Sequence, residues 1–169
     1  DLGAAMRAEV ERGIAKYGVG GVFVLVPSVK KLADSKSPLA TFVREPPRVS
    51  HNVAVPIFVS TRDGEGPVEA KELQNKLAIL TFNASKGRQR PFVCLVGFDE
   101  TYFKYYAREW DQPRALPNVL TVAATRATAE LVIVANASET LRTIDAATLG
   151  AHAEIVGTCL PAKMSKITP

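Results

Sequence analysis

The sequence predicts one α/β domain with a mainly parallel sheet, and three observations carry that prediction. Strand-length apolar runs recur along the chain, at Gly21–Val26, Leu77–Phe82, Phe92–Gly97 and Leu131–Ala135. They lack the alternation of a half-solvated strand and so read as strands covered on both faces. Segments with helical apolar spacing stand before and between them, joined by short connections, which is the pattern of alternating strands and helices in a parallel sheet.

Taken in order, Leu2, Met6, Val10 and Ile14 recur every four residues, and Gly18 is placed to end the helix they imply. Pro27 closes the first apolar run. A second helix is expected from Ser37, with Pro38 at its first position, Leu39, Phe42 and Val43 turned inward, and Pro46 and Pro47 stopping it. Val53–Val59 is the next strand, and Pro56 inside it requires an edge position or a bulge, because proline has no N–H for the ladder. Residues 60–67, STRDGEGP, form a turn-rich loop, and a short helix over Val68–Asn75 returns the chain to the strand at Leu77. Asp99 caps a helix bearing Tyr102, Phe103, Tyr106 and Trp110, aromatics that read as a packing face before a base-stacking platform. Asn118 caps a helix over 118–127, and Leu131–Ala135 is a further strand. Residues 138–149 form one more helix, followed by a tail from about residue 151.

At 169 residues the chain is one domain, long enough to bury a core without a disulfide or metal. Its make-up, 47% hydrophobic and 22% charged, excludes a disordered chain, and apolar runs of strand length supply no membrane span. A net charge of +4 suits a polyanionic partner. Cys94 and Cys159 fit neither a disulfide framework nor a zinc or redox pair. His51 and His152 read as surface residues without a partner at ligand spacing, so no metal site is expected. With Asp1 in place of an initiator Met and no signal segment, the chain reads as an intracellular piece of a longer protein, cytoplasmic or nuclear.

Chemistry-bearing residues concentrate in two places. Residues 81–90, TFNASKGRQR, put short polar side chains, a glycine and the cations Lys86, Arg88 and Arg90 directly after a buried strand, and ligands of parallel sheets collect at strand carboxyl ends. Thr125 and Arg126 close a helix just before the last strand. Arg88 and Arg90 read as solvating their loop as readily as contacting a ligand. The chain carries no GxxxxGK[ST] phosphate loop, no Ser/His/Asp set and no close carboxylate pair.

The stretches LAILTFNASKGRQRPFVCLVGFD and PNVLTVAATRATAELVIVAN resemble motifs V and VI of UvrD/Rep-related superfamily 1 helicases. Thr81, Ser85, Lys86 and Gly87 match T-x-H-x-[SA]-K-G-x-E, and Val122, Ala123, Thr125, Arg126 and Ala127 match V-A-x-T-R-A. GVFVLVPSVKKL, SPLATFVRE and VAVPIFVS also resemble the run-up to motif V, so the likeness spans about Gly21 to Asn136. Asn83 stands where the family has histidine, and Gln89 where it has an acidic, ribose-contacting residue. The short connection from Ser60 to Leu77 makes the insertion-free relatives the nearer model.

The resemblance implies a RecA-like three-layer domain, the second of two motor domains, over residues 1–169. It implies Arg126 as the arginine finger, Gly87, Gln89 and Lys86 bordering the nucleotide, and Thr81, Asn83 and Ser85 holding a single strand of nucleic acid, DNA favoured over RNA. ATP and Mg²⁺ would be bound mainly by a first RecA-like domain in the same chain, and the isolated domain would be inactive. Two other readings stay open: a stand-alone nucleic-acid-binding module, and an interaction domain of RecA-like shape with no ATPase role.

Overall fold

The computed structural model describes residues 2–30, 38–49, 53–60, 69–109 and 117–134. Their elements, in chain order, are α1 (Leu2–Tyr17), β1 (Val22–Val26), α2 (Pro38–Arg44), β2 (Arg48–Val49), β3 (Val53–Ala54), β4 (Ile57–Val59), α3 (Ala70–Leu73), β5 (Leu77–Thr81), β6 (Arg90–Val96), α4 (Glu100–Tyr105), α5 (Asn118–Ala124) and β7 (Ala127–Val134). Ser37, His51, residues 61–68, Trp110, the expected helix over 138–149, His152 and Cys159 lie outside the described residues.

Five strands form one sheet in the order β4-β5-β1-β6-β7, and every neighbouring pair is parallel. β1 holds the centre, and all five of its residues are buried. Its apparently continuous apolar run conceals a period of two. Val22, Val24 and Val26 join Met6, Val10 and Ile14 of α1 and Leu39 and Phe42 of α2 on one face. Phe23 and Leu25 join Leu73 of α3, Tyr102 of α4 and Leu120 and Ala123 of α5 on the other. Each such burial contributes about 1.5–3 kcal/mol, so the strand with both faces covered takes the middle. The result is a three-layer α/β domain with a parallel sheet, as the sequence implied. Among the described residues no helix is long and apolar enough to cross a membrane.

Local signals act where they were read. Gly18 ends α1 at φ 75° and ψ 165°, a conformation only glycine adopts cheaply, while its N–H donates to Ile14 O at 2.8 Å. Pro56 lies just before β4, which is an edge strand, and its carbonyl accepts from Leu77 N at 2.9 Å. Cys94 is a core thiol, pushed up to about 12 by burial.

Several boundaries differ from expectation: β6 starts at Arg90 rather than Phe92, α3 is confined to Ala70–Leu73, and α4 ends at Tyr105, before Tyr106. Val53–Val59 is not one strand: Val53 and Ala54 pair antiparallel with β2, and only Ile57–Val59 enters the main sheet, because Pro56 interrupts the ladder. Asn118 does not cap α5. The N-cap is Pro117, whose carbonyl accepts from Leu120 N and Thr121 N at 2.9 and 3.3 Å, so the helix starts on a backbone acceptor and Asn118 is already inside it. α5 also ends at Ala124 and β7 starts at Ala127, four residues before Leu131, because pairing with β6 at Arg90 draws the chain into the sheet early.

The first and last described elements are fastened directly. Glu130 of β7 accepts from Arg12 at 2.7 Å, from Tyr17 Oη at 2.9 Å, and from Lys16. Lys16, then Arg12, then Tyr17 hold its carboxyl down at about 2, from the ordinary 4.5. A carboxylate with a depressed pKa stabilises the fold above its unfolded value and loses that contribution as pH falls. Unfolding free energy measured in urea should therefore drop as pH falls from 4.5 towards 2. Glu130→Gln should be less stable than the parent at neutral pH and lose less over that acid window.

α1 also lies unusually close to β6. A Cβ built on Gly13 falls 2.7 Å from Cδ1 and 2.8 Å from Cγ of the fully buried Phe92 ring. Gly13→Ala should destabilise the domain by about 1–3 kcal/mol through overpacking, against the gain of up to about 1 kcal/mol that alanine brings to a free helix. Chemical denaturation of the variant reads the sign directly.

Candidate nucleotide and nucleic-acid site

Residues 82–89 are the whole connection between parallel strands β5 and β6, which lie on either side of β1. Parallel crossovers usually need a dozen or more residues. This one is short because a single 3-10 turn over Asn83–Ser85 replaces a helix. The turn is built by its own side chains. Ala84 N donates to Thr81 Oγ1 at 3.1 Å, and Ser85 Oγ donates to Phe82 O at 2.7 Å. Phe82 and Ala84 pack under α4 and α5, and Gly87, at φ 74°, releases the chain towards β6.

The crossover therefore carries its polar residues to two opposite ends of the sheet, separated by roughly 15 Å, the length of a five-residue strand. Thr81 and Asn83 stand at the carboxyl end of β5. Asn83 is exposed, whereas Thr81 and Ser85 are buried with hydroxyls engaged in the turn. Gly87 and Gln89 stand at the opposite end, where β6 begins.

At that second end lies an open groove of ≈ 1380 Å³, bordered by Tyr17, Gly18, Gln74, Asn75, Lys86, Gly87, Arg88 and Gln89 among others. Lysine, arginine, amide side chains and backbone line it, and among the described residues none that lines it is acidic, although Lys71 of its wall pairs with Glu69 at 2.7 Å. Such a donor-rich wall fits phosphate oxygens. Among the described residues no cluster of His, Cys, Asp or Glu could hold a metal.

Arg126 adjoins this end without lining the groove. Its carbonyl accepts from Arg90 N at 3.1 Å, which sets residues 36 apart in sequence side by side (126 − 90). Its guanidinium donates through Nε to Val122 O at 2.8 Å, through Nη2 to Thr125 Oγ1 at 3.0 Å and through Nη1 to Arg88 O at 3.4 Å. The side chain is half-buried and, among the described residues, pairs with no carboxylate.

Arg90 has a role that neither sequence reading contained. It is 8% exposed, and its guanidinium donates to Val22 O at 2.6 Å, Lys76 O at 2.8 Å and Leu73 O at 2.8 Å, lying 4.3 Å from the Phe23 ring centroid. It does not solvate the loop: it borders the groove, but its donors are turned to the backbone. Burial lowers its pKa to about 10, so it stays charged at neutral pH. Arg88 is intermediate, half-buried with Nη1 donating to Ala84 O and Lys86 O at 3.0 and 3.2 Å. Of the three cations, Lys86 alone is fully at the surface.

No protein-family model, curated protein or solved structure matches this chain.

Arg90→Met keeps an apolar stem and takes a donor from three carbonyls, of which Leu73 O retains Lys76 N at 3.3 Å. Unsatisfied buried acceptors cost about 1–3 kcal/mol each, and not additively, so the variant should lose about 3 kcal/mol of unfolding free energy in urea. Arg90→Lys should recover only part of this, because one ammonium cannot reproduce the fork.

Proposed function

We propose that this chain is the second motor domain of an ATP-dependent superfamily 1 helicase, related to the UvrD/Rep group, which completes a nucleotide site and grips a single strand. The observation that carries the reading is the placement of the two motif-like segments. They resemble motifs V and VI separately in sequence, and their Gln89–Arg90 and Arg126 ends lie together beside one groove rich in cationic and amide side chains. Asn83 lies at the other end of the same crossover.

Each residue then has a physical task. The groove at Lys86, Gly87 and Gln89 receives part of the nucleotide through charge, amide groups and backbone. Gln89 keeps hydrogen bonding to a ribose hydroxyl and gives up the negative charge of the acidic residue it replaces. Arg126 supplies a planar cation to charge that develops on the γ-phosphoryl group. Its present hydrogen bonds go to neutral oxygens, which an anion displaces readily. Asn83 meets the nucleic-acid backbone directly, while Thr81 and Ser85 act through the turn that presents it. ATP with Mg²⁺ supplies the transferable phosphoryl group, held by a first motor domain.

The test uses the chain joined to a first domain that carries a phosphate loop. Arginine fingers are associated with rate factors of about 10³ to 10⁵, so Arg126→Ala should lower kcat for ATP on the order of a thousandfold with a much smaller change in nucleotide affinity. Arg126→Lys should recover little. Turnover at the parent rate in the alanine variant would refute the assignment.

A further inference from the structure

Tyr105 and Tyr106 are 57% and 54% exposed, although Tyr106 belongs to an aromatic cluster. Tyr106 stacks on Tyr102, with ring centroids 5.7 Å apart and planes at 24°. Tyr102 in turn packs on Phe82 at 5.8 Å and meets Phe103 edge-on at 5.8 Å. Phe82 immediately precedes the exposed Asn83, so a ladder of three rings leads from the turn at the carboxyl end of β5 to the surface. Its outermost ring is held in one orientation before any ligand arrives.

Cations accompany the rings. Lys104 Nζ lies 5.5 Å from the Tyr105 centroid, and Arg108 Nε donates to Lys104 O at 3.1 Å, one helical turn away. Both side chains are exposed, and Glu100 and Glu109 stand at the two ends of the segment.

We infer that Tyr106, flanked by Tyr105, is a base-stacking platform for a single strand of nucleic acid whose backbone passes Asn83, with Lys104 and Arg108 meeting neighbouring phosphates. The inference rests on the nucleic-acid reading of Asn83 and adds the bases to it. Size decides against a protein partner. Two half-exposed tyrosines offer roughly 200 Å², whereas a stable protein interface needs about 800 Å² from each side. Among the described residues the other exposed large apolar side chains, Val53 and Leu131, lie on other elements, β3 and β7. One base covers one ring, and a ring already fixed by Tyr102 loses little freedom on stacking.

The test compares an oligothymidylate with an abasic oligonucleotide of equal length, titrated into the 169-residue chain at low salt and followed by fluorescence anisotropy. The parent should bind the base-bearing strand at least about fivefold more tightly. Tyr106→Ala should abolish that difference while leaving abasic affinity unchanged, and Tyr106→Phe should retain it. Asn83→Ala should weaken both strands alike. Equal affinity of the parent for the two strands, or a difference that survives Tyr106→Ala, overturns the platform and leaves the backbone grip standing. A Tyr106→Ala variant indistinguishable from the parent on both strands assigns the patch to some other partner. Absence of binding to either strand overturns the platform and the grip together.

Discussion

A guanidinium withdrawn from water must find acceptors for its donors, and the start of the sheet is organised around the acceptors that Arg90 finds. Val22 O belongs to the first residue of the central strand, Leu73 O to the last residue of α3, and Lys76 O to the turn that enters β5. One side chain thus fastens three segments to the beginning of β6, over the face of Phe23. Its own N–H donates to Arg126 O, so the same residue sets where β7 joins. The groove and Arg126 are near each other because both are hung from this fixture.

The second constraint is brevity. Eight residues have to return the chain from the far end of β5 to the near end of β6, and they manage it with one turn stabilised by Thr81 and Ser85. A longer crossover containing a helix would have separated Asn83 from Gln89 by a rigid rod with its own surface. The short one links the two ends of the sheet by a nearly direct path. A displacement at one end therefore has few residues in which to dissipate before it reaches the other.

The layers were legible in the sequence because burial on both faces demands apolar runs, and β1, β5 and β6 are such runs. α1 was legible from its four-residue spacing and Gly18. The position of Arg90 was hidden by geometry. In a regular strand Arg90 and Phe92 would share a face, but an irregularity between them turns Arg90 to the Phe23 side while Phe92 packs against α1. No periodicity announces such a shift, although Pro91 beside it is the sort of residue that strands tolerate at bulges. The start of α5 was missed for a related reason: a backbone carbonyl at Pro117 did what a side chain at Asn118 was expected to do. The site was legible as two stretches and not as an arrangement. Which hydroxyls would be engaged internally depended on a turn that only the three-dimensional path reveals.

The clamp on Glu130 has a consequence for how the domain is made. α1 leaves the ribosome before the other described elements, yet the carboxylate that holds Arg12 and Lys16 is 118 and 114 residues further along the chain. At the usual pace of translation that is a wait on the order of ten seconds. Until then α1 can rest its apolar stripe on β1, but Arg12 has only Glu9 of its own helix as a partner and β7 is not there to define its tilt. The earliest of the described elements is thus among the last to be locked, and a nascent chain stopped short of β7 would carry a helix that has found its layer without its final seat.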